Sequence, residues 1–324
     1  MRIAVDLLGG DAAPAVVVDG ALRALAADPD LQLLLVGPRD AADEVFAGLT
    51  ADDRRRVSLR PTSRAARASA PLVTSAAGSP IGAALMRAAR AGTTVRAAVA
   101  AVADGSASAL VSAGDTGATV TAAAVGLGRW PGIRRPALVA TLPAVAGPVV
   151  LLDVGGSLEA KPATLARHAL LGAAYAAVAH GIRSPRVGLL SVGTEQGKGD
   201  RVRRAADATL ASLALPAGAR YVGLVEGYDV SLGQRADVVV TDGFTGNVLL
   251  KGIEGAYALA GGPPAGARSP RAAALLGVWG TVVVCHGAAR DDDVASGIAF
   301  AAELYRRGVV AGVSALLTDT EVAR

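Results

Sequence analysis

Residues 238–255 read VVVTDGFTGNVLLKGIEG. Val238, Val239 and Val240 make an apolar β-branched run without polar alternation, which suits a strand covered on both faces. Thr241 and Asp242 end the run, and Gly243 and Gly246 let the backbone turn tightly. From Thr245 onward the apolar residues recur at helical spacing. Strand, turn and helix in this order form the repeating unit of an α/β fold. Asp242 is expected to fix the turn or to orient a cation. Lys251 lies about one helical turn past Asn247, so the two share a face.

The same alternation runs along the chain. Apolar runs at Ile3–Asp6, Leu31–Val36, Val57–Arg60, Ala109–Ser112, Ala137–Leu142, Val149–Asp153, Val187–Ser191, Tyr221–Val225 and Thr281–Cys285 read as strands. Between them, Ala13–Ala27, Ala41–Leu49, Gly82–Ala103, Thr116–Gly126, Pro162–Gly181, Gly199–Leu213, Thr245–Ala260 and Asp292–Arg307 read as helices. This predicts a doubly wound α/β fold with a mostly parallel sheet. No repeat or long linker divides the chain, so a single domain over residues 1–324 is expected. Residues 261–271 (GGPPAGARSPR) read as a loop, and residues 63–80 as an irregular, small-residue segment.

Composition narrows the classes. The chain has 324 residues, of which 52% are hydrophobic, enough for a large core. No apolar run approaches the ~20 residues of a membrane span. Residues 1–5 read as a first strand and not as a signal peptide, because Asp6 follows at once. The single Cys285 excludes an internal disulfide. The expectation is a cytoplasmic protein. A net charge of +4 suits anionic ligands or an acidic partner, while 3% aromatic residues and no Lys/Arg cluster interleaved with aromatics speak against nucleic acid. Of 32 basic residues only Lys161, Lys198 and Lys251 are lysines, and each lies near Gly, Asp or Glu. A lysine kept against an arginine bias suits a role for a compact, mobile ammonium.

Ligands of parallel sheets bind outside the carboxyl ends of the strands. The unusual residues fall there. They are Gly9, Gly10 and Asp11 after the first strand, and Ser112, Gly114, Asp115, Thr116 and Gly117 after the fourth. Asp153, Gly155, Ser157 and Lys161 follow Val149–Leu152, and Gly193, Thr194, Glu195 and Lys198 follow Val187–Leu190. Asp242, Gly243, Gly246, Asn247 and Lys251 complete the set. Glycine admits close backbone approach, the hydroxyls and amides donate neutral hydrogen bonds, and the next helix presents unpaired N–H groups that favour an anion. Any one such turn is an ordinary helix cap; a series of them at strand ends is the signal. No phosphate-binding GxxxxGK[ST], dinucleotide GxGxxG or GxSxG elbow is present, and no histidine pair has metal-ligand spacing. We expect no metal and no cofactor. His168 and His180 fall on a helix and its end and read as structural.

These segments resemble the phosphate acyltransferases of bacterial phospholipid synthesis, the PlsX family. The matching pieces are MRIAVDLLGGDAAP at the start, LVSAGDTGA at 110–118, GIRRPAL at 132–138, LLDVGGS with AKP at 151–162, SPRVGLLSVGTEQGKG at 184–199, VEGYD at 225–229, ADVVVTDGFTGNVLLKGIEG at 236–255 and CHG at 285–287. The resemblance implies a Rossmann-like three-layer α/β/α sandwich of the isopropylmalate dehydrogenase and phosphotransacetylase type. It implies transfer of a fatty acyl group from acyl carrier protein to inorganic phosphate. The acyl phosphate would serve a glycerol-3-phosphate acyltransferase, and the protein would be a homodimer touching membranes at most peripherally.

On this reading phosphate is itself the nucleophile, so no protein Ser or Cys is acylated. The glycine turns would bind phosphate and the acyl thioester. Lys251 and Asn247 would act at the reacting phosphate, Lys161 and Lys198 are further cations, and His286 would donate a proton or bind phosphate, or else be structural. The chain departs from the family pattern at Asp115 and Ser157, where Asn is usual. The basic run around Arg87–Thr94 is thinner, and the segment between Gly255 and Leu275 is much shorter. Other readings are an acyl- or acetyl-coenzyme A phosphate transferase, a non-catalytic binder of acyl carrier protein, and a dehydrogenase, the last disfavoured by the missing fingerprint.

Overall fold

The computed structural model describes residues 1–62, 94–263 and 272–322. In chain order its first elements are β1 (Arg2–Asp6), α1 (Ala15–Ala27), β2 (Gln32–Gly37), α2 (Arg39–Gly48), α3 (Ala51–Arg54), β3 (Val57–Pro61), α4 (Thr94–Ala103), β4 (Ala109–Ser112) and α5 (Thr116–Gly126). There follow β5 (Ala137–Ala144), β6 (Gly147–Leu152), α6 (Pro162–His180), β7 (Arg186–Leu190), α7 (Arg201–Ala211), β8 (Arg220–Val225), α8 (Gly227–Leu232), β9 (Val238–Val240) and α9 (Gly243–Leu259). The last are β10 (Ala272–Leu276), β11 (Thr281–Cys285), α10 (Asp291–Arg306) and α11 (Val309–Val322). The chain divides into two compact units, one of Met1–Arg129 with Val278–Arg306 and one of Trp130–Gly277 with Arg307–Arg324.

In the first unit the strand order is β3-β2-β1-β4-β11, and every pair is parallel. Ile3, Ala4 and Val5 of β1 and Leu110 and Val111 of β4 are buried, as expected for strands covered on both faces. Helix α1 packs on α10 and α4 on α5. In the second unit the order is β10-β5-β6-β9-β7-β8. Strands β10, β5 and β6 pair antiparallel, while β6, β9, β7 and β8 pair parallel. Helix α6 is buried along most of its length against β9, α7 and α11, because its Ala- and Leu-rich sequence is apolar on nearly every face. The fold is the expected mostly parallel α/β sheet with flanking helices.

Besides the short helices Ala51–Arg54 and Gly227–Leu232, two elements are absent from the sequence reading. Ala272–Leu276 is a strand, although its Ala/Leu composition has no β-branched residue. Val309–Val322 forms a final helix, beyond the last segment read from the sequence. Of the Gly82–Ala103 helix reading, Thr94–Ala103 is helical, and the rest falls on residues 63–93. The thinned basic run up to Thr93, the irregular 63–80 segment and residues 264–271 of the Gly/Pro loop likewise lie outside the described residues. Among the described residues no helix is long and apolar enough to cross a membrane.

Neighbouring parallel strands end at the same edge. The loops after β1, β4 and β11 therefore gather in the first unit, and those after β6, β9, β7 and β8 gather in the second.

Candidate functional site

In the second unit Asp153 follows β6 and is fully buried. Its Oδ1 accepts hydrogen bonds from the backbone N–H of Leu138 (3.0 Å), Gly155 (3.2 Å) and Gly156 (2.8 Å). Its Oδ2 accepts from Ser157 Oγ at 2.8 Å. Asp153 thus folds the Gly155–Ser157 turn, and Ser157 at its departure from the family pattern is one of the groups that satisfy this carboxylate.

Helix α9 is seated on that turn. Asp242 is its N-cap, with Oδ1 accepting from Thr245 N–H at 2.8 Å. The two glycines have a packing reason: a Cβ on Gly243 would stand 2.1 Å from Ser157 O, and one on Gly246 would stand 2.0 Å from Asp153 O. Asn247 donates its side-chain amide to Val154 O at 3.1 Å. The TDGFTGN segment therefore locks a helix N-terminus onto a glycine turn. Lys251, one turn on, is exposed and pairs with Glu254 at 3.2 Å.

The loop after β7 holds Gly193 buried and Thr194 half-buried. A Cβ on Gly193 would stand 2.8 Å from Glu195 Oε2. Lys198 is exposed, and its backbone N–H donates to Glu195 O at 3.1 Å. Lys161 is exposed at the N-cap of α6. All three lysines thus belong to this unit, Lys161 and Lys198 in the loops after β6 and β7 and Lys251 midway along α9.

Arg203 of α7, which the sequence reading does not single out, joins these loops. Its guanidinium donates to Asp242 Oδ2 at 2.6 Å and to Asp200 Oδ2 at 2.6 Å. Burial raises the Asp242 carboxyl, but hydrogen bonds from Thr245 and Arg203 outweigh it and hold the group below the usual carboxylate range. His168 on α6 is fully buried. Burial pushes its imidazole below the ordinary histidine value, and the nearby Asp153 and Asp242 carboxylates only partly oppose this. His180 meets Thr141 Oγ1 at 2.9 Å, in keeping with a structural role.

In the first unit Asp6 ends β1 and is buried. It accepts from Thr94 Oγ1, from Ser112 Oγ at 2.8 Å and from Leu8 N–H at 3.3 Å. Burial raises its carboxyl above the usual range, against hydrogen bonds from Thr94 and Ser112 that favour the charge. Ser112 Oγ also accepts from Gly114 N–H at 3.0 Å. A Cβ on Gly9 would stand 2.7 Å from Gly114 N, so the Gly9-Gly10 and Ser112–Gly114 turns touch through backbone.

Asp11 donates its N–H to Gly287 O at 2.8 Å, which brings in the loop that starts with half-buried His286. Asp115 is exposed and caps α5, accepting from Ala118 N–H at 2.7 Å, with Thr116 and Gly117 in the first turn. The expected site residues therefore fall into two clusters. His286 belongs to the first unit, and Asn247 and Lys251 belong to the second.

Chemically, the second cluster sets the N-termini of α6, α7 and α9 after parallel strands β6, β7 and β9, an arrangement suited to an anion.

The family described as "Fatty acid synthesis protein" matches residues 1–261. The phosphate acyltransferase of Syntrophomonas wolfei is 35% identical over 324 aligned residues, covering 96% of each chain. That of Thermobifida fusca is 39% identical over 347, covering 96% of this chain and 92% of its own. A branched-chain phosphotransacylase from Enterococcus faecalis V583 shares the fold, with a TM-score of 0.63 at 16% identity over 94% of this chain and 99% of its own. On this near-complete likeness the chain belongs to the fatty acid synthesis protein family and, with the phosphate acyltransferases it resembles, is an acyltransferase.

Proposed function

We propose that the protein transfers a fatty acyl group from acyl carrier protein to inorganic phosphate, releasing acyl phosphate and the free carrier thiol. The observation that carries this reading is the gathering of the α6, α7 and α9 N-termini at the carboxyl edge of parallel strands in a chain of this family. A phosphate oxygen attacks the thioester carbonyl carbon, the C–S bond breaks, and the proton of hydrogen phosphate ends on the departing thiol. Atoms and charge balance without an acylated side chain. What the protein supplies is orientation of the two reactants and donors for the developing oxyanion.

In this reading Lys251, Lys161 and Lys198 are the mobile cations of the second cluster, and Asn247 holds α9 in register through Val154. Acyl carrier protein as donor, a homodimer and use of the product by a glycerol-3-phosphate acyltransferase are supported by the family resemblance.

The test is direct. Purified protein is mixed with palmitoyl-acyl carrier protein, and free thiol is measured with and without phosphate. Phosphate-dependent release is expected. Release that requires an acyl-coenzyme A instead, or carrier-protein binding with no release, would overturn the reading.

A further inference from the structure

We infer that Arg203 is the positioning residue for the phosphate end of the second cluster, an inference that rests on the phosphate reading above. One guanidinium reaches five acceptors. Nε donates to Leu190 O at the end of β7 at 3.0 Å, and Nη1 donates to Asp200 Oδ2 at 2.6 Å. Nη2 donates to Asp242 Oδ2 at 2.6 Å and lies 3.2 Å from Thr245 Oγ1 and 3.4 Å from Thr241 Oγ1. Asp200 and Asp242 are the N-caps of α7 and α9. The Arg203 and Asp242 side chains are each 14% exposed, so water screens this pair only weakly.

Two consequences follow from charge and shape. First, both helix N-termini carry a capping carboxylate, and uncompensated these would oppose the anion that the helix ends otherwise attract. A shared guanidinium offsets that negative charge without taking the cap from either helix. Second, the planar fork fixes the start of α9 relative to the ends of β7 and β9, and the Gly243, Gly246 and Asn247 contacts depend on that register. A lysine ammonium cannot span the same acceptors as a rigid fork. The backbone is shaped to admit the arginine: Gly199 has φ +90°, and a Cβ there would stand 3.0 Å from Arg203 Cβ. Arg203 acts on phosphate through Asp242 and Asp200, not by touching the reacting atoms.

The test compares wild type, Arg203→Met, Arg203→Lys and the double variant Arg203→Met/Asp200→Asn. Two readouts are taken: calorimetric binding of inorganic phosphate, and phosphate-dependent thiol release from palmitoyl-acyl carrier protein. Arg203→Met is expected to weaken phosphate binding and raise its KM by about tenfold, with the carrier-protein KM little changed. Arg203→Lys should fall between it and wild type. Removing the Asp200 charge as well should restore part of the phosphate affinity, which loss of a purely structural strut would not do.

An Arg203→Met protein that folds and binds phosphate as wild type does would overturn the inference. If it does not fold, Arg203→Lys decides, since unchanged phosphate affinity there also overturns it. Wild type that binds phosphate without turnover would sink the transferase reading alone, with Arg203 then judged on affinity. Wild type that binds no phosphate would sink both.

Discussion

A Cβ placed on Gly246 would stand 2.0 Å from the carbonyl oxygen of Asp153. The first turn of α9 and the loop after β6 are thus in backbone contact, and no side chain fits between them. Gly246→Ala must push the helix off the loop and should destabilise the protein by about 2–3 kcal/mol. Gly252, in the same helix, is exposed with open space at its Cβ position, so Gly252→Ala should stabilise by about 0.5–1 kcal/mol. Denaturant melts of the two variants check this. Equal effects would mean that the contact at Gly246 is not tight.

Ser112 links two buried polar groups, donating to Asp6 and accepting from Gly114 N–H. Ser112→Ala strands both, at a cost of about 1–3 kcal/mol. The loss should depend on pH. The Ser112 hydroxyl favours the ionised form of Asp6, whose carboxyl burial already raises. Without the hydroxyl the ionised form costs more, so the penalty is largest at high pH, where Asp6 is charged, and shrinks as the pH falls through the folded value. Melts of wild type and variant between pH 4.5 and pH 8 (about the range where carboxylates with raised values titrate) give the difference curve. A penalty that grows toward acid would contradict the assignment.

Much of this architecture is legible from the chain alone. Ala109–Ser112, Thr116–Gly126 and Thr281–Cys285 lie where the patterning puts them, because apolar runs and Ala-rich stretches differ sharply in period. Ala272–Leu276 is hidden because alanine and leucine favour helices, and only pairing with Ala137–Val139 makes the segment a strand. At the site, glycine clusters mark the strand ends, but they do not say why each glycine is needed. Gly243 and Gly246 meet a loop about ninety residues earlier in the chain, which no local spacing reveals. Arg203 is masked for the same reason. Its i,i+3 partner Asp200 is visible in the sequence, whereas its contact with Asp242 exists only once β7 and β9 pair.

His168 gives a pH signature of its own. It is fully buried on α6, and burial holds its value below the ordinary 6.5. A depressed folded value means that the unfolded chain takes up the proton first. The associated stability is whole above the unfolded value and is lost as the pH falls through the folded one, with a slope of at most about 1.4 kcal/mol per pH unit. His168→Leu fills a similar volume and cannot titrate. The stability of wild type relative to His168→Leu should therefore fall as the pH drops below about 6.5. A pH-independent difference between the two proteins would show that the imidazole stays uncharged in both states or charged in both.

Lys251, midway along α9, tests the role of a cation in this cluster. Its ammonium is exposed, pairs with Glu254 across less than one helical turn, and stands one turn past Asn247, which is anchored to Val154. An exposed pair of this kind contributes at most about 1 kcal/mol to stability, so Lys251→Met should leave the melting midpoint nearly unchanged. Its effect belongs on phosphate. On the proposed reading, loss of this mobile cation should raise the phosphate KM by about tenfold while the carrier-protein KM holds. Lys251→Arg keeps the charge but not the compact ammonium and should recover part of the loss. Thiol-release kinetics at varied phosphate, with fixed palmitoyl-acyl carrier protein, separate the two constants. A phosphate KM within about twofold of wild type in Lys251→Met would move the phosphate-binding cation elsewhere, with Lys198 and Lys161 next in line.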